Sequence, residues 1–270
     1  MFSFRSLGSG SSGNAYLFGT DEGYFLIDAG VGIRALNKYL FEMGLTAGKL
    51  AAIFLTHDHC DHAKNAGNLQ RAAAKMGHEL TVYTTPPTVR GIDGNPTIRY
   101  KLIPEQTQFL EKEAALICCG CSITPFNVPH DSEDNNGYFL EYGDLRFCLL
   151  TDAGAVTPAI ERYVSQADYL VLESNYDLRM LQTGPYPLYL RNRIHGNNGH
   201  LSNSEAANLI FEHRHHLKQV WLCHLSENNN LPRVALETVE NRFSGEGMRL
   251  DDFVKVEVLG RKIPSPLYRW

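Results

Sequence analysis

The segment Thr56-His57-Asp58-His59-Cys60-Asp61-His62 constrains this chain more than any other. It packs four good metal-binding side chains, His57, His59, Asp61 and His62, into six residues. It follows the apolar run Ile53-Phe54-Leu55 and precedes a stretch rich in Ala, Leu and Gln, so it reads as a loop between a strand at 51–55 and a helix at 62–76. Such a loop can aim several side chains into one space. His57 and His59, two residues apart, face the same way in an extended segment. Asp61 and His62, at the start of the helix, can face a second ion. Imidazole with carboxylate suits zinc, and also manganese or iron.

One cluster of this kind is also compatible with a surface patch of histidines. Three further sequences argue for a metal site. Val128-Pro129-His130-Asp131 puts a histidine just past a strand, Leu149-Leu150-Thr151-Asp152 puts a carboxylate at the end of one, and Leu222-Cys223-His224 does the same for a histidine. Each alone could be a satisfied buried polar residue; together they read as one metal-binding set.

The remainder alternates between strands and helices. Strands are expected at 14–18, in a run ending at 26–28, and at 80–83, 116–119, 122–127, 138–141, 145–150, 169–173, 220–223 and 253–258. Helices are expected at 34–43, 158–165, 204–216 and 231–242. Glu141-Tyr142-Gly143-Asp144 predicts a tight hairpin turn. The polar stretch 177–199, with Pro185 and Pro187, reads as a long loop of the kind that often carries function. No repeat or Pro/Gly/Ser linker interrupts the chain, so the expectation is one domain over residues 1–270. Two β-rich halves, each followed by helices, predict an α/β fold with two sheets face to face in four layers, αββα.

The formal net charge of −5 gives no bulk attraction to nucleic acid or anionic membrane. No apolar run approaches the roughly 20 residues of a membrane helix, and the first residues lack a secretory pattern, so no membrane association and a cytoplasmic location are expected. Cys118-Cys119-Gly120-Cys121 contains a Cys-x-x-Cys spacing, yet no second pair completes a zinc knot. The expectation there is small, reduced, buried side chains rather than disulfides, redox chemistry or structural zinc.

The Thr-x-His-x-His-x-Asp-His string followed by distant His, Asp and His resembles the metallo-β-lactamase superfamily, from Asp28 to His224. The resemblance implies that His57, His59 and His130 hold one divalent metal and Asp61, His62 and His224 another, with Asp152 bridging. The metals would be zinc or manganese, with iron possible, and a bridging hydroxide would be the nucleophile. Asp28 in Leu26-Ile27-Asp28-Ala29-Gly30 looks like the acid that supports the metal loop. An aspartate at 152 looks like the phosphodiesterase and thioesterase side of the superfamily. Leu7-Gly8-Ser9-Gly10-Ser11-Ser12-Gly13-Asn14, Asn197-Asn198-Gly199-His200-Leu201-Ser202-Asn203 and His224-Leu225-Ser226-Glu227-Asn228-Asn229 resemble more closely the YycJ/WalJ-type subgroup, related to RNase Z and RNase J. That implies a 5′-to-3′ exonuclease on DNA, favoured over RNA, with no protein partner expected. The alternatives are a small-molecule phosphodiesterase, lactonase or thioesterase, and a non-catalytic metal-binding regulatory module.

Other residues bear on substrate. His200 precedes Ser202-Asn203-Ser204-Glu205, a capping box that opens a helix, and the N–H groups of a helix start can receive phosphate. By resemblance to RNase Z, His200 contacts the scissile phosphate and protonates the leaving oxygen; Asp61 is the second catalytic candidate. Arg191 and Arg193, near Tyr186 and Tyr189, suit single-strand binding or simply a solvated loop. Ser11, Ser12 and Asn14 sit in a Gly-rich loop that suits either a phosphate cradle or a tight turn. Ser226 and Asn228 are expected to line the cleft. His213, His215 and His216 read as a surface cluster at a helix end.

Overall fold

The computed structural model describes residues 1–270. The strands β1 (Ser3–Gly8), β2 (Ala15–Thr20) and β3 (Gly23–Ile27) form an antiparallel meander. Helix α1 (Ile33–Glu42) leads to β4 (Leu50–Phe54). Helices α2 (Cys60–Ala63) and α3 (Ala66–Ala74) lead to β5 (Thr81–Thr84), and α4 (Pro86–Gly94) precedes β6 (Thr107–Phe109). From β3 to β6 the pairing is parallel.

The chain continues through β7 (Leu116–Cys118), β8 (Cys121–Asn127), β9 (Asn136–Tyr142), β10 (Leu145–Leu150), α5 (Pro158–Val164) and β11 (Tyr169–Glu173). Then come α6 (Leu178–Thr183), α7 (Leu188–His195), α8 (Asn203–Glu212), β12 (Gln219–Cys223), α9 (Pro232–Ser244), β13 (Lys255–Val258) and β14 (Tyr268–Arg269). One seven-stranded sheet has the order β14-β1-β2-β3-β4-β5-β6, the other β13-β12-β11-β10-β9-β8-β7. The parallel run in the second sheet is β10-β11-β12-β13.

By backbone packing the chain forms two compact units. One comprises Met1–Pro125, Ser132–Asn136 and Gly260–Trp270, the other Phe126–Asp131 and Gly137–Leu259. In the first, Leu17, Leu26 and Ile53 of the sheet pack with Leu36, Leu40 and Leu69 of α1 and α3. The opposite face of those strands carries Phe4, Phe18, Phe25, Phe54 and Tyr83, each ring within 6 Å of the next. Both faces are apolar, which is why β3 and β4 read as continuous hydrophobic runs rather than alternating ones. In the second unit Cys148, Leu150, Leu170, Leu172, Val220 and Leu222 pack with Ile160, Leu209, Ile210, Ala235, Val239 and Phe243 of α5, α8 and α9. Burying each large apolar side chain stabilises the fold by about 1.5–3 kcal/mol.

Three expectations change. The helix expected at 62–76 breaks at Asn65, whose N–H donates to Ala29 O (3.1 Å) and whose Nδ2 donates to Val31 O (2.8 Å), pulling the chain out of helical geometry. The loop expected at 177–199 contains α6 and α7. Asp177 caps α6 by accepting from Met180 N (2.8 Å), and the two helices enclose a small core of Tyr176, Leu181 and Ile194. Helix α8 ends at Glu212, so His213, His215 and His216 lie beyond it.

Candidate metal centre

In the first unit the metal loop begins where β4 ends, and β3 runs parallel beside it, so the carboxyl ends of the two strands are neighbours. Asp28 follows β3 with φ 61°, a left-handed conformation that costs a non-glycine residue about 1–3 kcal/mol. That turn sends its buried carboxylate into the loop. Asp28 accepts from Thr56 N (2.9 Å), from Thr56 Oγ1 (2.9 and 3.0 Å) and from His62 Nδ1 (2.6 Å). Burial pushes the Asp28 carboxyl above its usual range, against the opposing pull of His62 and Thr56. Thr56 Oγ1 lies 2.9 Å from His57 Nδ1. With both Nδ1 atoms engaged by oxygen, Nε2 is the ring nitrogen of His57 and His62 that could serve a cation.

Close approach keeps this loop in place. A Cβ on Gly30 would fall 1.6 Å from Asp61 O, so only glycine fits. Asn14 N donates to Asp61 O (2.7 Å), and Ala29 N donates to His62 O (2.8 Å). Asn14 is fully buried against the loop, with Nδ2 2.9 Å from His62 Nε2. The His57 ring centroid is 4.6 Å from that of His59 and 4.1 Å from that of His62, and Asp61 Oδ2 is 3.6 Å from His62 Nε2. The first unit therefore gathers His57, His59, Asp61 and His62 at one place.

The second unit repeats the device. β10, β11 and β12 are parallel neighbours, and Asp152, Glu173 and His224 stand at their carboxyl ends. Asp152 (φ 46°) and His224 (φ 50°) are left-handed, as Asp28 is. Asp152 Oδ2 is 3.6 Å from His130 Nε2, and its Oδ1 is 3.0 Å from His224 Nδ1. His130 Nδ1 donates to Gly199 O (2.8 Å).

Glu173, completely buried, was not identified from the sequence; the available signal was a carboxylate closing the apolar strand Tyr169–Glu173. Its Oε1 accepts from His200 Nδ1 (2.8 Å) and His224 Nδ1 (2.9 Å), and its Oε2 accepts from Ala153 N (2.8 Å) and Leu201 N (3.1 Å). Burial alone would raise its pKa; the charge and hydrogen bond of His200 and the hydrogen bond from His224 outweigh that and hold it below the usual range. Burial disfavours the charged form of His200, but Glu173 more than compensates and raises its pKa above the ordinary histidine value. Ligand atoms of Asp152, Glu173, His200 and His224 all lie within 4.8 Å of one another.

The donor chemistry fits divalent cations. Imidazoles held at Nδ1 by oxygen atoms and carboxylates at strand ends are what zinc, manganese or iron sites use.

The remaining candidates are placed as follows. Arg193 pairs with Asp131, next to His130, and Arg191 donates to Gln182 O. Asn228 Nδ2 donates to Tyr186 OH (2.9 Å). Ser226 is buried, and its Oγ accepts from Asn229 N (3.2 Å). Ser11 and Ser12 are exposed in a tight turn closed by Gly13 N to Gly10 O (2.8 Å), where Lys64 Nζ donates to Ser12 O (3.0 Å).

The family model of the β-lactamase superfamily domain matches residues 24–225. The chain therefore belongs to the metallo-β-lactamase superfamily, and its two helix-flanked sheets have that fold. Within it the chain is of the YycJ/WalJ type. It is 29% identical to the exodeoxyribonuclease YycJ of Bacillus anthracis over 98% of this chain and 97% of that one. It is 32% identical to the exodeoxyribonuclease WalJ of Streptococcus pneumoniae over 90% of this chain and 88% of that one. The fold is shared with the metallo-β-lactamase fold protein YhfI of Bacillus subtilis, with a TM-score of 0.72, 16% identity and 98% of both chains covered. It is shared also with zinc-bound PqqB of Methylobacterium extorquens, with a TM-score of 0.69, 17% identity, and 99% of this chain and 100% of that one covered. The chain is thus a metal-dependent hydrolase. No helix is long and apolar enough to cross a membrane.

Proposed function

We propose that this protein is a phosphodiesterase that removes nucleotides from DNA in the 5′-to-3′ direction. Two divalent ions would be held by His57, His59, Asp61 and His62 of the first unit and His130, Asp152 and His224 of the second. When bound, the ions supply an activated water and neutralise charge on the phosphoryl oxygens. Asp61 accepts a hydrogen bond from the attacking water. Asp28 and Thr56 fix the rings of His62 and His57. Relatives named exodeoxyribonucleases, aligned over nearly the whole chain, support the choice of DNA.

The observation that carries a phosphodiester substrate is the Glu173–His200 pair. Glu173 holds Nδ1 of His200, which leaves Nε2 as the donor, and keeps the imidazolium populated to higher pH than an isolated histidine. A histidine so held can protonate a departing 3′ oxygen. His200→Ala should lower turnover by about 100-fold or more with metal content unchanged; loss of metal in that variant would refute the assignment.

The deciding experiment is cleavage of 5′-phosphorylated, end-labelled single- and double-stranded DNA and RNA by protein loaded with zinc or manganese, with Asp61→Ala as control. Stepwise, metal-dependent release of nucleotides from DNA, absent in the control, is the expected result. The net charge of −5 favours the second reading, a small-molecule phosphodiesterase. Inertness towards every polymer, with hydrolysis of a small phosphodiester retained, would select it.

A further inference from the structure

A group of thiols lies outside the metal loops, at the tip of the β7–β8 hairpin. Cys118 and Cys121 are register partners, so Cys119 and Gly120 form a two-residue turn, with φ of 50° and 66°. Such turns favour Asn-Gly or Gly-Gly, because a side chain is disfavoured in the left-handed region. A thiol nonetheless occupies the first turn position. Cys118 Sγ and Cys119 Sγ are 3.8 Å apart, and both residues are only partly buried. The expectation of sealed core cysteines therefore holds for Cys121 and not for this pair.

The β2–β3 turn is shaped around the tip. Thr20 Oγ1 donates to Cys119 O (2.6 Å). A Cβ on Gly23 would lie 3.0 Å from Cys119 Sγ, and a Cβ on Gly120 would lie 2.4 Å from Glu22 Oε1. Two glycines thus leave room for a sulfur and for a carboxylate beside it.

Geometry separates two uses of such a pair. The Cα atoms of adjacent residues across a trans peptide are about 3.8 Å apart, less than the roughly 4.4–6.8 Å that disulfides span. Two thiolates on one tetrahedral zinc, each about 2.3 Å from the metal, stand about 3.8 Å apart. We propose that Cys118 and Cys119 are a chelating thiolate pair for a thiophilic divalent cation of the zinc or cadmium kind, with the exposed Glu22 side chain able to swing in as an oxygen ligand. Binding breaks two S–H bonds, forms two S–metal bonds and releases two protons, with no change of oxidation state. Burial, and then the neighbouring thiol Cys119, pushes the Cys118 thiol up, so the cation must displace bound protons and its affinity falls as pH falls.

The test is titration of the metal-stripped, reduced full-length protein with cadmium, read by the ultraviolet thiolate-to-cadmium charge-transfer band. The Asp61→Ala and Cys60→Ser proteins should keep the band, which separates this site from the catalytic one. The Cys118→Ser/Cys119→Ser protein should lose it. Cadmium NMR of the wild-type protein gives a second readout independent of variant folding, with a resonance shifted downfield by sulfur ligation expected. Absence of both signals in folded wild-type protein, or a band that survives in the double variant, would overturn the proposal.

Discussion

Glu173 accepts hydrogen bonds from Nδ1 of both His200 and His224 and from two backbone N–H groups. Its folded pKa is lowered, so its contribution to stability is present above the ordinary carboxylate range and fades as pH falls through the folded value. The folded pKa of His200 is raised, so its contribution is complete below the ordinary histidine range and fades as pH rises through the folded value. The pair thus stabilises the protein between those two folded pKa values. In Glu173→Gln the His200 ring should titrate at lower pH than in wild type, measured by NMR on metal-free protein; an unmoved titration would show that Glu173 does not set it. The same change should reduce metal affinity or activity about 10- to 100-fold. Gly30→Ala is expected to be more damaging, because its Cβ would overlap the Asp61 carbonyl. A Gly30→Ala protein with wild-type stability and metal content would contradict that. The closeness of His57, His59, Asp61 and His62 was legible because they lie in one short string with fixed spacing, whereas Asp28 entered only through the resemblance. Glu173 was not legible, because nothing near it in the chain reveals that residues 27 and 51 positions later return to it.

Helix α8 begins with a complete capping box. Ser202 Oγ accepts from Glu205 N (3.2 Å), and Glu205 Oε2 accepts from Ser202 N (2.8 Å). Ser202 lies two residues after His200, so this cap also fixes where the histidine loop ends. Ser202→Ala should cost about 1 kcal/mol, read as a lower midpoint in denaturant with an unchanged slope. A neutral result would mean that packing of Leu209 and Ile210 sets the helix start without the cap. The capping box and the hairpin turn at Gly143 (φ 58°) were readable from the sequence, because both depend on contacts within a few residues. The break at Asn65 and the helices α6 and α7 were not. Asn65 answers to carbonyls more than 30 positions away, and α6 and α7 depend on burying Leu181 and Ile194 around Tyr176.

For the molecule as a whole, metal binding and stability are linked, because ions that bind only the folded state stabilise it by mass action. At free metal about 100-fold above Kd the gain is about 2.7 kcal/mol. Removing metal with a chelator should therefore lower the unfolding midpoint, and Asp28→Asn should abolish most of that difference. A midpoint indifferent to chelation would argue against a site of useful affinity. If the proposed DNA substrate is right, its binding by a chain with net charge −5 must depend on local positive charge, and affinity should fall steeply with salt. Arg193→Ala should reduce the slope only slightly, because Asp131 already engages that guanidinium; a large loss would show that the pair opens to meet the substrate.

By itself the sequence determined the chemistry available: a loop of His and Asp side chains after an apolar strand, further His and Asp side chains at the ends of later strands, and enough alternation of strand and helix to specify the fold class. These follow from local spacing and periodicity. Tertiary structure alone decided how that chemistry is tuned. Parallel neighbours bring the ends of β10, β11 and β12 together. The left-handed turns at Asp28, Asp152 and His224 aim their side chains. A buried glutamate holds Nδ1 of His200 and raises the pKa of that ring. Each depends on which distant strand ends become neighbours, and that is settled by burial of the sheets rather than by any pattern within a few residues of the site.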